Sequence, residues 1–166
     1  GCDVINASWG NTRFDAMGQD AVRYAQERNC LIVSAAGNSG LNEKYYPASY
    51  PGVVNVAASG PTDIKWSGST FSHRVDLIAP GENVRSTWPF NGYNYSSGTS
   101  FAAPLVSAAA ALVKSQFPAY SAEQLAERLR VTADTGIYQL SGNSAWYHLM
   151  GAGRLNVARA LSAPEM

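Results

Sequence analysis

Leu31-Ile-Val-Ser-Ala-Ala-Gly-Asn-Ser-Gly40 is an apolar run that stops abruptly on a turn-forming Gly-Asn-Ser-Gly. Leu31–Ala36 carries no polar alternation beyond Ser34, so a strand here is covered on both faces. Upstream, Phe14–Asn29 places Phe14, Met17, Ala21, Val22 and Ala25 at spacings of three and four, which predicts a helix. Before it, Asp3–Ser8 predicts a short strand broken by Trp9-Gly10. Downstream, Val53–Ala58 predicts a strand after a Tyr/Pro-rich loop, and Val75–Ala79 predicts another, ended by Pro80-Gly81. A loop is expected over Glu82–Ser97, then a long helix behind Ser100 that stops at Pro118. Ser121 and Gln124 form a capping box for a helix with Leu125 and Leu129 on one face. Apolar strands alternating with helices define an α/β fold: three layers, with a mostly parallel sheet between helices on both faces. Residues 1–166 read as one domain.

Composition agrees. The chain has 166 residues, 46% hydrophobic and 14% charged, with a formal net charge of zero, enough to bury a sizeable core. Its charges are scattered without runs, so no nucleic-acid partner is expected. The longest apolar run, Phe101–Val113, is too short to cross a membrane, and no membrane partner is expected. The chain opens on Gly-Cys-Asp and runs into a strand, which is not how a signal peptide begins.

Chemistry is suggested by Gly98-Thr-Ser-Phe-Ala-Ala-Pro104, which opens that apolar run. A helix start carries unsatisfied N–H groups and the positive end of the macrodipole, so an oxyanion formed there can be held. Gly98 lets the backbone turn sharply, and Pro104 suits a first helical turn. Ser and Thr are also ordinary helix caps, so the segment needs partners before it means catalysis. In open α/β sheets ligands bind outside the carboxyl ends of the strands. Ser8-Trp9-Gly10 and Ala35-Ala36-Gly37-Asn38 stand at such ends, and the Asn38 side chain is a candidate donor to a tetrahedral intermediate. Asn-Ser-Gly is equally an ordinary turn.

Taken together, the motifs resemble the C-terminal two-thirds of a subtilisin-like serine protease domain, the subtilase family. Asp3-Val-Ile-Asn-Ala-Ser-Trp-Gly10, Ser34-Ala-Ala-Gly-Asn-Ser-Gly40, the Tyr46–Ala57 segment, Asp76-Leu-Ile-Ala-Pro-Gly81, Gly98–Pro104 and Gly151-Ala-Gly-Arg-Leu-Asn-Val157 follow one another in the family's order. The resemblance implies a serine endopeptidase that acts on polypeptides through an acyl-enzyme on Ser100. The Asn38 amide and the Ser100 backbone N–H would form the oxyanion hole, with Thr99 close by. Ser8, Trp9 and Gly10 would pair with the substrate main chain as an added strand. Ala35, Ala36 and Gly37 would form one wall of the pocket for the residue before the cut.

The family's order is Asp, His, then Ser, so the resemblance places the first two upstream of Gly1. Asp134-Thr135-Gly136 copies the aspartate motif in letters but is read as a helix-end turn. His73 and His148 lack the family's Gly-Thr neighbours and are read as structural or surface residues. Without a base the serine is a poor nucleophile, so this portion alone is expected to be inactive. Asp3–Ser8 is read as an inner strand with nothing upstream to pair with it. Self-association, or capture by the N-terminal portion of the same domain, is therefore expected. Cys2 and Cys30 fall side by side before the first two strands, where a disulfide is conceivable and two buried free thiols are favoured. No cofactor and no transition metal are expected. A structural calcium or sodium site on carbonyls of the loop Leu41–Pro51 stays open, by likeness to the family. Secretion is expected from family habit alone. The rival from another class is a non-catalytic α/β module, a degenerate protease or binding fragment. An α/β-hydrolase esterase fits poorly, because Gly-Thr-Ser-Phe-Ala lacks the second glycine of a nucleophile elbow.

Overall fold

The computed structural model describes residues 1–164. At its centre β1 (Val4–Ala7), β2 (Leu31–Ala35), β3 (Val53–Ser59) and β4 (Leu77–Pro80) form a four-stranded sheet in chain order. All pairs are parallel, in the register Val4↔Leu31, Ile32↔Val53 and Val56↔Leu77. Every residue of β2 and β3 is buried, as their unbroken apolar sequences require. β1 lies at one edge of the sheet, so one side of its backbone is unpaired and Ile5 is 39% exposed.

Helices cover both faces. α2 (Thr99–Gln116), α3 (Ala122–Val131) and α4 (Val157–Ser162) enclose the main core with Val33, Val54, Val56 and Leu77 of the strands. The inward positions of α2 are small: Ala102, Ala103, Val106, Ala109, Ala110 and Val113 are all buried, so the helix lies close to the sheet. α3 begins at the expected capping box: Ser121 accepts from Gln124 N, and the Gln124 side chain accepts from Ser121 N. Leu125 and Leu129 of α3 are both fully buried, each stabilising by about 2 kcal/mol. On the other face α1 (Ala16–Glu27) packs Val22 and Ala25 against Ile32, Tyr50 and Val53. Asp15 caps it by accepting from Met17 N and Gly18 N.

Four expectations need correction. The segment expected as a loop, Glu82–Ser97, contains an antiparallel hairpin of β5 (Val84–Trp88) and β6 (Gly92–Ser96). Its strands are largely exposed, so they carry no burial pattern to read. Phe14, Met17 and Ala21 of the expected apolar face are exposed, Met17 by 79%, and only Val22 and Ala25 reach the core. Pro104 stands inside α2 rather than in its first turn, because the helix already begins at Thr99. Finally, Cys30 is buried but Cys2 is exposed, and the two are unlinked. Asp134 does belong to a turn after α3: it caps a 3-10 turn over Thr135–Gln139 by accepting from Gly136 N. That hydrogen bond, helped by Arg154, holds its carboxyl below the ordinary value.

Candidate active site

The N-terminus of α2 meets the carboxyl ends of β1 and β2, and the candidate residues converge there. Ser100 and Ser8 bond reciprocally across 92 positions of sequence. Ser100 Oγ donates to Ser8 O at 3.1 Å, and Ser8 Oγ donates to Ser100 O at 2.9 Å. The second bond has a cause inside the helix. Pro104 has no N–H to offer the carbonyl four residues back, so the Ser100 oxygen is left free and Ser8 fills the vacancy. Asn6 Nδ2 in turn donates to Ser8 Oγ at 2.8 Å, and Ser107 Oγ donates to Asn6 Oδ1 at 2.9 Å. Asn6 and Ser107 have no sequence signal of their own; the packing of α2 against β1 brings them to the site.

Thr99 ties α2 to the end of β2. Its N–H and its hydroxyl both donate to Asn38 Oδ1, each at 2.9 Å. An amide oxygen held by two donors fixes the orientation of the whole group, because a flip would turn NH2 onto N–H. Nδ2 therefore points away from Thr99, and a Cβ placed on Gly98 would lie 3.4 Å from it. Among the described residues Nδ2 donates to no protein acceptor. The Ser100 N–H sits in the first helical turn, where no carbonyl four residues back in the helix can take it. Two free donors and a hydroxyl thus share one corner of the molecule.

Gly37 carries φ +108°, and an added Cβ would lie 2.9 Å from Thr70 Oγ1 and from the Tyr45 ring. Only glycine fits there. Thr70, missed by sequence reasoning, braces the turn: its N–H donates to Gly37 O at 3.0 Å and its Oγ1 accepts from Ser39 N at 3.3 Å. The Ala35 and Ala36 side chains are buried on opposite faces of the sheet, so this rim presents backbone rather than methyl groups. On the β1 side Trp9 is 67% exposed. Gly10 O accepts from Tyr45 OH at 2.6 Å, and a Cβ on Gly10 would meet Tyr46 O.

The histidines take no part in this network. Both are exposed, and His148 stacks edge-on against Tyr147. In the loop Leu41–Pro51 the carbonyls of Leu41, Tyr45, Tyr46 and Pro47 already accept backbone hydrogen bonds. No group of three or more His, Cys, Asp or Glu able to hold a metal occurs among the described residues.

A model of the subtilase family, peptidase S8, matches residues 1–153, and the chain belongs to that family of serine proteases. It is 41% identical to a thermostable alkaline protease of Halalkalibacterium halodurans, over 91% of this chain and 41% of that protein. It is 40% identical to Subtilisin Savinase of Lederbergia lenta, over 80% of this chain and 49% of that protein. The chain thus spans less than half of either relative. Among solved structures, a protease of Pseudoalteromonas arctica superposes with a TM-score of 0.87 at 30% identity, over 97% of this chain and 51% of that one. The prenylagaramide maturation protease PagA gives 0.86 at 28% identity, over 97% and 61%.

Proposed function

We propose that Ser100 is the nucleophile and Asn38 an oxyanion donor of a subtilisin-like serine endopeptidase, and that this chain is the C-terminal portion of its single catalytic domain. The observation carrying the reading is the double anchoring of Asn38 Oδ1 by Thr99, which leaves Nδ2 free beside Gly98. Ser100 Oγ attacks the scissile carbonyl carbon, and its proton passes to a general base. The carbonyl oxygen becomes an oxyanion that accepts from Asn38 Nδ2 and the Ser100 N–H. Collapse expels the amine and leaves an acyl-enzyme on Ser100, which water then hydrolyses.

The base is the missing part. Ser100 Oγ now donates to Ser8 O, a carbonyl that cannot accept the proton outright. The base and its orienting carboxylate come from the rest of the catalytic domain, so this chain alone is inactive. Polypeptide substrate pairs with Ser8-Trp9-Gly10, and the residue before the cut lies against Ala35-Ala36-Gly37. The parent enzyme is exported. No cofactor takes part, and a structural cation on the loop Leu41–Pro51 would serve stability rather than chemistry. The rival reading, a non-catalytic module, draws on the absence of any base bonded to Ser100 among the described residues.

The test is Asn38→Ala in the complete domain. Nδ2 binds charge that exists only in the transition state, so kcat should fall about 10²–10³-fold, the loss known for such a donor in a subtilisin, while KM stays. A raised KM with unchanged kcat contradicts the assignment.

A further inference from the structure

Cys2 and Cys30 are the chain's two cysteines, and their sulfurs lie 3.4 Å apart, unlinked. The sheet register holds them together: Val4 pairs with Leu31, and Leu31 N donates to Asp3 O at 2.8 Å. Their environments differ sharply. Cys30 is 4% exposed and packs among Val22, Ala25, Ile32, Tyr50 and Val53 under α1. That burial, reinforced by the neighbouring Cys2 thiol, pushes the Cys30 thiol up to about 11, so it stays protonated at neutral pH. Cys2 is exposed. Both border the apolar groove of about 530 Å³ between α1 and β1. An accessible thiol in contact with a shielded one is the arrangement of an attacking and a resolving cysteine.

We propose that Cys2 and Cys30 form a dithiol redox site that closes to an intramolecular disulfide by exchange with a small-molecule disulfide. The Cys2 thiolate attacks one sulfur of R–S–S–R, breaks that bond and releases one thiolate, leaving Cys2–S–S–R. Cys30 then gives its proton to solvent and attacks Cys2 Sγ. The Cys2–SR bond breaks and the second thiolate leaves. Two protein thiols are oxidised, one external disulfide is reduced to two thiols, and the electrons balance. The movement needed is small: the sulfurs approach from 3.4 Å to about 2 Å by rotation of the exposed Cys2 side chain. The product ties the start of the free edge strand β1 to the start of β2. The far end of β1 is where Ser8 meets Ser100, so the bond steadies the strand that carries one side of the site.

The probe is oxidised glutathione, added to the fully reduced chain at neutral pH and followed by intact mass, thiol titration after denaturation and thermal unfolding. The expected product has no titratable thiol, no glutathione adduct and a mass lower by about two hydrogens. Its Tm should rise by about 10 °C, since the bond restrains the unfolded chain across 28 positions, and a reductant should reverse the gain. Cys30→Ser should stop at the Cys2–glutathione adduct. If that variant does not fold, Cys2→Ser carries the test: its Cys30 should stay reduced. A wild-type chain that keeps both thiols, retains the adduct or forms a Cys2-linked dimer overturns the proposal. Rapid glutathionylation of Cys30 in Cys2→Ser overturns it as well. None of these readouts depends on peptidase activity.

Discussion

Lys65→Met should remove a distinctive rise of stability with pH. Lys65 is 4% exposed, and its Nζ donates to Trp66 O and Ser69 O, both at 2.8 Å. The ammonium also lies 5.1 Å and 4.9 Å from the ring centres of Phe71 and Trp146. These contacts favour the charged form, but loss of water outweighs them and brings the pKa from 10.5 down to about 8. The sign follows from proton counts. Between pH 8 and 10.5 the unfolded chain holds a proton on Lys65 that the folded chain has released, so stability rises with pH across that window. Below the window both states are charged and above it both are neutral, so the effect is confined to it. The full rise is about 3 kcal/mol. Urea unfolding of wild type and Lys65→Met at intervals from pH 7 to pH 11 isolates it, because other titrating groups cancel in the difference. A flat difference curve, or one that falls across the window, refutes the reasoning. Lys65 matters to the site because it holds the segment whose Thr70 braces Gly37.

Two further outcomes follow from the geometry. In the complete domain Ser8→Ala should lower kcat about tenfold with little change in KM, since it removes the hydroxyl that donates to the carbonyl freed by Pro104; steady-state kinetics on a peptide amide checks this, and unchanged kcat denies Ser8 a positioning role. The isolated chain should self-associate through the unpaired edge of β1 and the exposed apolar groove beside it, so its sedimentation coefficient should rise with concentration. A monomer at every concentration would mean that the edge is protected.

How much of this was legible depends on whether a local pattern carried it. β2 and β3 are unbroken apolar runs, and the Ser121/Gln124 box writes a helix start into four residues, so these elements were readable. The β5–β6 hairpin was not. Val84–Trp88 and Gly92–Ser96 face solvent over most of their length, and the three residues 89–91 that join them do not form a two-residue hairpin turn with its own sequence signature. Phe14 looked like a core residue by spacing, yet it meets the rings of Tyr46 and Tyr50 edge-on at 5.6 Å on an open surface. The candidate site divides the same way. Ser100 and Asn38 stood in motifs dense enough to notice. The bonds that orient them, from Thr99 to Asn38 and from Ser8 to Ser100, span 61 and 92 positions and exist only once the strands align. Asn6, Thr70 and Ser107 had no signal beyond their place in the chain.

The central claim is that Ser100 becomes a nucleophile only when the rest of the domain supplies its base. A fluorescent organophosphonate reads this directly, since it bonds covalently to an activated serine. The account predicts stoichiometric labelling of Ser100 in the complete domain, none after Ser100→Ala, and no useful rate of labelling in this chain alone. Rapid labelling of the isolated chain, or a complete domain whose Ser100 stays unlabelled, would contradict it.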